Sequence, residues 1–300
     1  MKKRIKQTFL KLMSLFIERS TRYPLQYFAQ LRAETIFFQV PAKDIEEILG
    51  LGDQKIVMVD VGARGGLEKD LERYLDLLDI TFCEADPLEA ARLKTLGYAR
   101  VFDCIVGSSE SKQKSLTIGA HPGTSSCLKL NSNYLDFYCS SATQRFTPVT
   151  EIMRPSVSLI SLLEDSIDNI DYLKIDTQGS ELEVLQGLGQ YRPIIIKCEV
   201  SYVPLYEESA LIHDIQKYLF DLGYILFHVS SVMRSAPLRH KSSRPFDRTV
   251  IPLHGDAYFM PDWTRWRSVV GDRQRKYEAL MHIFGLEDVY KYAILTESKP

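Results

Sequence analysis

The sequence predicts an α/β protein built on a doubly wound, mostly parallel sheet. From about residue 55 onward, short continuous apolar runs alternate with amphipathic stretches. Continuous apolar strands are typical of parallel sheets covered on both faces, because both rows of side chains are buried. Right-handed crossovers between such strands place helices on both sides of the sheet. The composition of the 300 residues, 45% hydrophobic and 25% charged, is typical of a globular protein and excludes a disordered chain.

Each element follows from this alternation. The apolar runs that we predict as strands are 55–60, 80–84, 100–106, 172–176, 193–200, 224–229 and 257–260. The amphipathic stretches that we predict as helices are 66–78, 87–96, 158–165, 180–188 and 207–222. The interval 107–157 exceeds a simple crossover, and its apolar runs at 116–118 and 146–152 predict an extra hairpin.

The same pattern predicts the domain organisation. We expect one main domain at residues 51–262, with helical extensions at 1–50 and 263–300. The 107–157 insertion is expected on the ligand-binding side, where insertions often carry specificity. The C-terminal extension combines tryptophans with a basic run, and we expect it to pack on the domain rather than to stack on bases.

Charge and cysteine content limit the partners and the compartment. Lys plus Arg is 37 and Asp plus Glu is 39, so no global field exists to concentrate nucleic acid, and we expect no nucleic-acid partner. The five cysteines include no C-x-x-C pair, which predicts free thiols in a reducing compartment. No apolar run is long enough to span a bilayer. We therefore expect a cytoplasmic protein.

Residues 1–19 differ from the rest of the chain. They contain six basic residues against one acid, with apolar residues near helical spacing, which predicts a basic amphipathic helix. Lys11 interrupts the apolar run, so the segment does not resemble a signal peptide. Such a helix either docks on the domain or makes a peripheral contact with an anionic membrane surface. For a cytoplasmic protein, that surface is the inner face of the membrane.

A glycine-rich turn follows the first predicted strand. Asp60 closes the strand, and Gly62, Arg64 and Gly66 belong to the turn DVGARGG. Glycines let backbone N–H groups approach a ligand closely. A pyrophosphate-binding turn would avoid the charge of Asp60, so this acid favours a cationic ligand such as the sulfonium and amino group of S-adenosylmethionine. Glu84 ends the second strand, where an acid accepts hydrogen bonds from ribose hydroxyls, although Asp86 is close enough to compete.

A second acidic site follows the strand at 172–176. Asp176 ends this strand, Gly179 makes the turn, and Ser180 and Glu181 suit the start of the next helix. Glu181 is equally well explained as a helix-start acid. Asp176 is a functional candidate, because ligands of an open parallel sheet bind beyond the carboxyl ends of its strands.

Three segments together resemble the FkbM family of S-adenosylmethionine-dependent methyltransferases. They are DVGARGG (60–66), CEADP (83–87) and LKIDTQGSELEVLQGL (173–188), and the resemblance extends over about 50–262. It implies a seven-stranded, Rossmann-like class I methyltransferase sheet whose last strand, near 257–260, inserts antiparallel. It also implies O-methylation, often of a sugar hydroxyl in a glycan or of a secondary metabolite. Arg64 departs from the family pattern, which usually has a small or amide residue there.

The resemblance implies which residues serve the cofactor. The residues expected to bind S-adenosylmethionine are Asp60, Gly62, Arg64, Gly66, Glu84 and Asp176. The acceptor is expected to be a glycan or another small hydroxylated molecule.

A hydroxyl acceptor must also lose its proton, either to a general base or with the help of a metal. The catalytic candidates are Asp176, Glu199 and His121. Glu199 ends a strand expected beside that of Asp176, and His121 lies in the insertion near small polar residues. Asp176 and Glu199 can alternatively hold a divalent cation, although no spaced cluster of ligands indicates a metal site.

Two other functions stay open from the sequence. One is an NAD-dependent oxidoreductase on a similar sheet, which Asp60 and the missing G-x-G-x-x-G disfavour. The other is a non-catalytic cofactor-binding scaffold module anchored by the basic N-terminal helix.

Overall fold

The computed structural model describes residues 37–50, 54–98, 100–109, 111–135, 144–235 and 251–297. The chain divides into the units 1–39 and 40–300, and every element below belongs to the second. The predicted helix at residues 1–19 and its membrane contact lie outside the described residues. None of the helices in the described part is long and apolar enough to cross a membrane.

In the described part of the chain, ten strands form two sheets. The strands are β1 (Ile56–Val61), β2 (Leu78–Cys83), β3 (Arg100–Phe102), β4 (Ile105–Gly107), β5 (Ser111–Gly119), β6 (Pro148–Ser158), β7 (Tyr172–Ile175), β8 (Ile195–Ser201), β9 (Tyr224–Ser235) and β10 (Ile251–Pro261). The main sheet has the order β3-β2-β1-β7-β8-β10-β9. Its strands pair in parallel except β10, which is antiparallel to β8 and β9. This confirms the predicted seven-stranded sheet with its antiparallel last strand.

Helices cover this sheet. They are α1 (Ala42–Leu49), α2 (Pro87–Thr95), α3 (Ser132–Leu135), α4 (Leu159–Leu163), α5 (Glu181–Gln186), α6 (Ile212–Asp221), α7 (Trp266–Val270), α8 (Gln274–Ile283) and α9 (Glu287–Glu297). The helix predicted at 66–78 is instead a 3-10 helix, Lys69–Leu77.

The predicted strand 100–106 is wrong, because the chain changes sheets within it. β3 pairs with β2 in the main sheet, whereas β4 pairs in parallel with β6 in a second, three-stranded sheet. Asp103 lies between the two strands, and its backbone carbonyl accepts a hydrogen bond from Arg154 of β6 at 2.9 Å. The predicted hairpin within 107–157 is present as β5 and β6, with Leu116 opposite Ile152.

The two faces of the main sheet differ in chemistry. On one face, alternate residues of β1, β7 and β8 join the largest apolar core. On the other face, three buried charged residues, Asp60, Lys174 and Lys197, occupy the alternate positions. Lys174 Nζ lies 2.9 and 3.1 Å from the two carboxylate oxygens of Asp60. Lys197 Nζ lies 2.5 Å from Glu68 and 3.4 Å from Asp256.

The C-terminal helices pack on the domain, as predicted. Trp266 is buried and stacks on Tyr277, with 5.3 Å between ring centroids. Two residues of the basic run, Arg273 and Lys276, donate to the buried carboxylate of Asp171 at 3.0 and 2.7 Å. These cations therefore attach the extension to the start of β7.

Candidate active site

A cleft opens beyond the carboxyl ends of β1, β2 and β7, where the strand order reverses. Its empty space is about 860 Å³. The turn after β1 and Glu84 line one side, and β4, the 122–127 loop and the segment 176–180 line the other.

The turn after β1 approaches the loop after β7 through backbone atoms alone. Gly62 has φ +80°, and a Cβ placed on it would lie 1.9 Å from the carbonyl oxygen of Asp176. Gly65 and Gly66 also have positive φ. Arg64 lines the cleft and pairs with Asp86 at 2.5 Å, so its side chain bridges the loops that follow β1 and β2.

We expect Gly62→Ala to destabilise the protein clearly more than Gly65→Ala. Both positions have positive φ, which costs an alanine about 1–2 kcal/mol. Only Gly62 also faces a backbone clash, because nothing lies within 4 Å of a Cβ on Gly65. Urea unfolding of the two variants measures this difference. Equal losses of stability would show that the contact between the two loops adjusts without cost.

Glu84 stays our prediction for the acid that accepts hydrogen bonds from a ribose. It lines the cleft, is only 6% exposed, and accepts a hydrogen bond from the backbone N–H of Asp86 at 2.9 Å. Burial raises its pKa to about 7, against the opposing effect of the Asp86 N–H and of Arg64. Asp86 caps α2 through Leu88 and pairs with Arg64. Because Asp86 is engaged in this way, Glu84 is the acid available to a ligand.

The rest of the cleft fits the adenosine part of S-adenosylmethionine. Ile105, Val106 and Leu116 provide an apolar wall suited to the adenine base. The hydroxyl of Ser180 lines the same cleft, is buried, and has no hydrogen-bond partner within the described part of the chain. A buried polar atom without a partner is costly, and a bound polar ligand would relieve that cost.

Asp60 lies in the buried layer of the sheet, with both of its carboxylate oxygens bonded by Lys174. Its charge, which the sequence assigned to a cationic ligand, is therefore already balanced by a lysine. Burial raises the pKa of Asp60, and Lys174 opposes that rise. A direct contact between Asp60 and the cofactor stays a prediction.

Asp176 and Glu199 come together as expected, and Gln178 joins them. Gln178 Nε2 donates to Asp176 Oδ1 at 2.9 Å and also bonds Glu199 Oε2. Gln178 has φ +56°, an uncommon conformation for a non-glycine residue that tends to mark functional sites. His254 Nδ1 lies 3.0 Å from Glu199 Oε1. Burial, and then the neighbouring Asp176 and Glu181, raise the pKa of Glu199 well above its usual range.

His121 is not part of this cluster. Its ring is exposed, and its Nε2 lies 3.1 Å from the Arg145 guanidinium. The neighbouring Pro122 and Gly123 line the cofactor cleft.

Sequence reasoning missed His254 and Asp256. The last strand was predicted as 257–260 but begins at Ile251. The alternation of buried Leu253, Gly255 and Ala257 with the polar His254 and Asp256 is a strand signal that extends it to this point. The described ranges contain no group of three or more His, Cys, Asp or Glu side chains that could hold a metal ion.

The strand order and the cleft define a class I methyltransferase. A family model described as the methyltransferase FkbM domain matches residues 60–226. The chain therefore belongs to the FkbM family of S-adenosylmethionine-dependent methyltransferases, and this confirms the resemblance seen in its sequence.

Several solved structures match the chain at low identity and low TM-score. One is precorrin-6y C5,15-methyltransferase from Geobacter metallireducens, with 12% identity, TM-score 0.30, and coverage of 73% of this chain and 86% of that one. Another is TYW2 of M. jannaschii in complex with AdoMet, with 12% identity, TM-score 0.29, and coverage of 74% and 77%. A third is 1,6-didemethyltoxoflavin-N1-methyltransferase from Burkholderia thailandensis, with 13% identity, TM-score 0.30, and coverage of 80% and 91%. No curated protein matches the sequence.

Proposed function

We propose that this methyltransferase transfers a methyl group to the oxygen of a hydroxyl group. The acceptor is a sugar or glycan, or another small hydroxylated metabolite. The observation that carries the proposal is the position of Asp176. It lines the cofactor cleft and shares the amide of Gln178 with Glu199. Side chains able to take a proton therefore lie next to the cleft expected to hold the methyl donor. A hydroxyl acceptor needs such a group, because it must lose its proton.

A second cleft adjoins the first and supports a hydroxyl-rich acceptor. It shares Arg64 and Asp176 with the cofactor cleft, and its other charged lining residues are Glu68, Lys174, Lys197 and Asp256. Ammonium groups donate hydrogen bonds and carboxylates accept them, so this lining suits the several hydroxyls of a sugar ring.

In this proposal the residues of the first cleft hold the cofactor. Glu84 binds the ribose, the turn at 62–66 lets the cofactor approach the backbone, and Ser180 provides a hydrogen bond. The bound cofactor supplies a methyl group on a positively charged sulfur. Holding the acceptor hydroxyl in line with that methyl group provides much of the acceleration.

The test is methyl transfer from S-adenosylmethionine labelled in its methyl group to a panel of methyl glycosides. We expect a labelled product whose NMR spectrum places the methyl group on oxygen. Asp176→Asn should bind S-adenosylhomocysteine and transfer poorly. Tight cofactor binding by the wild type with transfer to nitrogen or carbon acceptors only would refute the proposal.

We also propose that the protein works in the cytoplasm, with residues 1–19 against the anionic inner face of a membrane. Their excess of basic residues supports this. Co-sedimentation of the full chain with phosphatidylserine vesicles, reduced by added salt and by Lys2→Glu/Lys3→Glu, is the expected result. Equal sedimentation with neutral vesicles would argue against it.

A further inference from the structure

The antiparallel insertion of β10 brings a histidine to the active-site edge of the sheet. In the pairing with β8, Asp256 is opposite Glu199 and His254 is opposite Ser201. Opposite residues of paired strands point to the same face. His254 and Asp256 therefore lie on the face that carries Glu199.

The ring of His254 is held in one orientation. Its Nδ1 lies 3.0 Å from Glu199 Oε1, and Glu199 is in turn bonded by Gln178. Tyr206 donates to Gln178 Oε1 at 3.3 Å, which fixes the amide from its other side. Because Nδ1 faces Glu199, Nε2 faces away from it. The His254 side chain is 28% exposed, so the ring is not sealed inside the protein.

The surroundings of His254 suit an imidazole that is neutral in the free enzyme and becomes positively charged when it takes up a proton. Burial lowers its pKa, which keeps the ring neutral and able to accept a proton at neutral pH. The charges of Asp176 and Asp256 raise the pKa against this effect, and the charge of Arg145 lowers it further. Glu199 contacts the ring directly. An imidazolium formed there is stabilised by the charges of Asp176 and Asp256.

We propose that His254 takes the proton of the acceptor hydroxyl at Nε2, while Glu199 and Gln178 position its ring. This proposal rests on the function proposed above. Asp176 and Asp256, whose charges act on the His254 ring, line the second cleft, where the proposed function places the acceptor. As oxygen bonds to the methyl carbon, its O–H bond breaks and the proton bonds to Nε2. The electron pair of the broken bond between sulfur and carbon stays on sulfur, and the imidazolium later gives its proton to water.

The first test needs no acceptor. Full-length protein labelled with ¹⁵N-histidine and saturated with S-adenosylhomocysteine is examined by imidazole NMR at pH 7.5, with His254 assigned by its loss in His254→Asn. We expect the neutral tautomer with hydrogen on Nδ1 and none on Nε2. A ring with hydrogen on Nε2 at this pH would overturn the proposal, because that nitrogen would have no lone pair to offer.

The second test uses the glycoside that the wild type methylates. We expect His254→Asn to lower kcat by about 10²–10⁴-fold, to lose the acid limb of the pH profile, and to bind S-adenosylhomocysteine within about twofold of wild type. Added imidazole should restore part of the activity of His254→Ala, which a merely structural role would not allow. His213→Asn, on the exposed surface of α6, is the matched control and should keep wild-type activity.

The outcomes separate the two proposals. A wild-type rate and pH profile in His254→Asn would overturn the role of His254 and leave O-methylation standing. A wild type that binds S-adenosylhomocysteine but methylates no hydroxyl would overturn both.

Discussion

Replacing Glu84 by alanine is expected to weaken the binding of S-adenosylhomocysteine by about 100-fold. A hydrogen bond to a charged group contributes about 1.5–3 kcal/mol, and each 1.4 kcal/mol is about tenfold in affinity. Glu84 lines the cleft and has one oxygen bonded to the Asp86 N–H, so the loss of its carboxylate removes the ribose acceptor. Isothermal titration calorimetry at pH 8 measures the effect.

Two variants control this measurement. Glu84→Gln keeps an acceptor without the charge and should lose about tenfold, since charge-assisted hydrogen bonds are about twice as strong as neutral ones. Glu72→Ala removes an exposed acid of the 3-10 helix and should bind as wild type does. Wild-type affinity in Glu84→Ala would place the ribose elsewhere.

The same carboxylate makes cofactor affinity depend on pH. The pKa of Glu84 is raised to about 7, so the free enzyme carries the charged form above that pH and the protonated form below it. Ribose hydroxyls donate most strongly to the charged form, and the protonated carboxyl, like the amide of Glu84→Gln, is a neutral acceptor, so binding should weaken below pH 7 toward a limit of about tenfold. Affinity should level off above pH 8, and Glu84→Gln should remove most of this dependence.

Lys174→Met is expected to lower the free energy of unfolding by about 3–5 kcal/mol, because it leaves the carboxylate of Asp60 buried without its cation. Asp60 is fully buried and Lys174 borders the second cleft with only 7% of its surface exposed, so water compensates only in part for the lost partner. Urea unfolding at pH 7.5 measures the loss. Lys69→Met, at an exposed position, should change stability by no more than about 0.5 kcal/mol.

The double variant separates the ion pair from simple packing. Asp60→Asn/Lys174→Met removes both charges and should be more stable than Lys174→Met alone. The pH dependence has a definite sign. Without its cation the pKa of Asp60 rises further, so the deficit of Lys174→Met relative to wild type should shrink as pH falls and the carboxylate takes up a proton. Strictly additive losses in the double variant would show that the two charges do not stabilise one another.

Local sequence signals were sufficient for most of the fold and for several residues that line the first cleft. The apolar runs of β1, β2, β7 and β8 are visible because a strand buried on both faces has few polar residues. The turn at 62–66 and Glu84 are recognisable because each immediately follows such a run. The strand predicted at 100–106 failed because a two-residue change of direction at Asp103 leaves the apolar pattern nearly continuous.

The charged residues around Asp60 and Glu199 were less accessible to sequence analysis, because they meet only through long-range pairing. Asp60 and Lys174 are 114 residues apart, and nothing near either one indicates that they form a buried ion pair. His254 reaches Glu199 only because β10 inserts antiparallel beside β8. His121, chosen for its polar loop, lies against Arg145 instead.

The sequence alone was enough for the sheet class and the FkbM family, since periodicity and motif spacing are properties of neighbouring residues. Only the tertiary structure showed how the buried charges pair, that Gln178 bonds both Asp176 and Glu199, and that His254 lies beside Glu199. They depend on strand order and register, which join segments far apart in sequence and which short-range patterns do not encode.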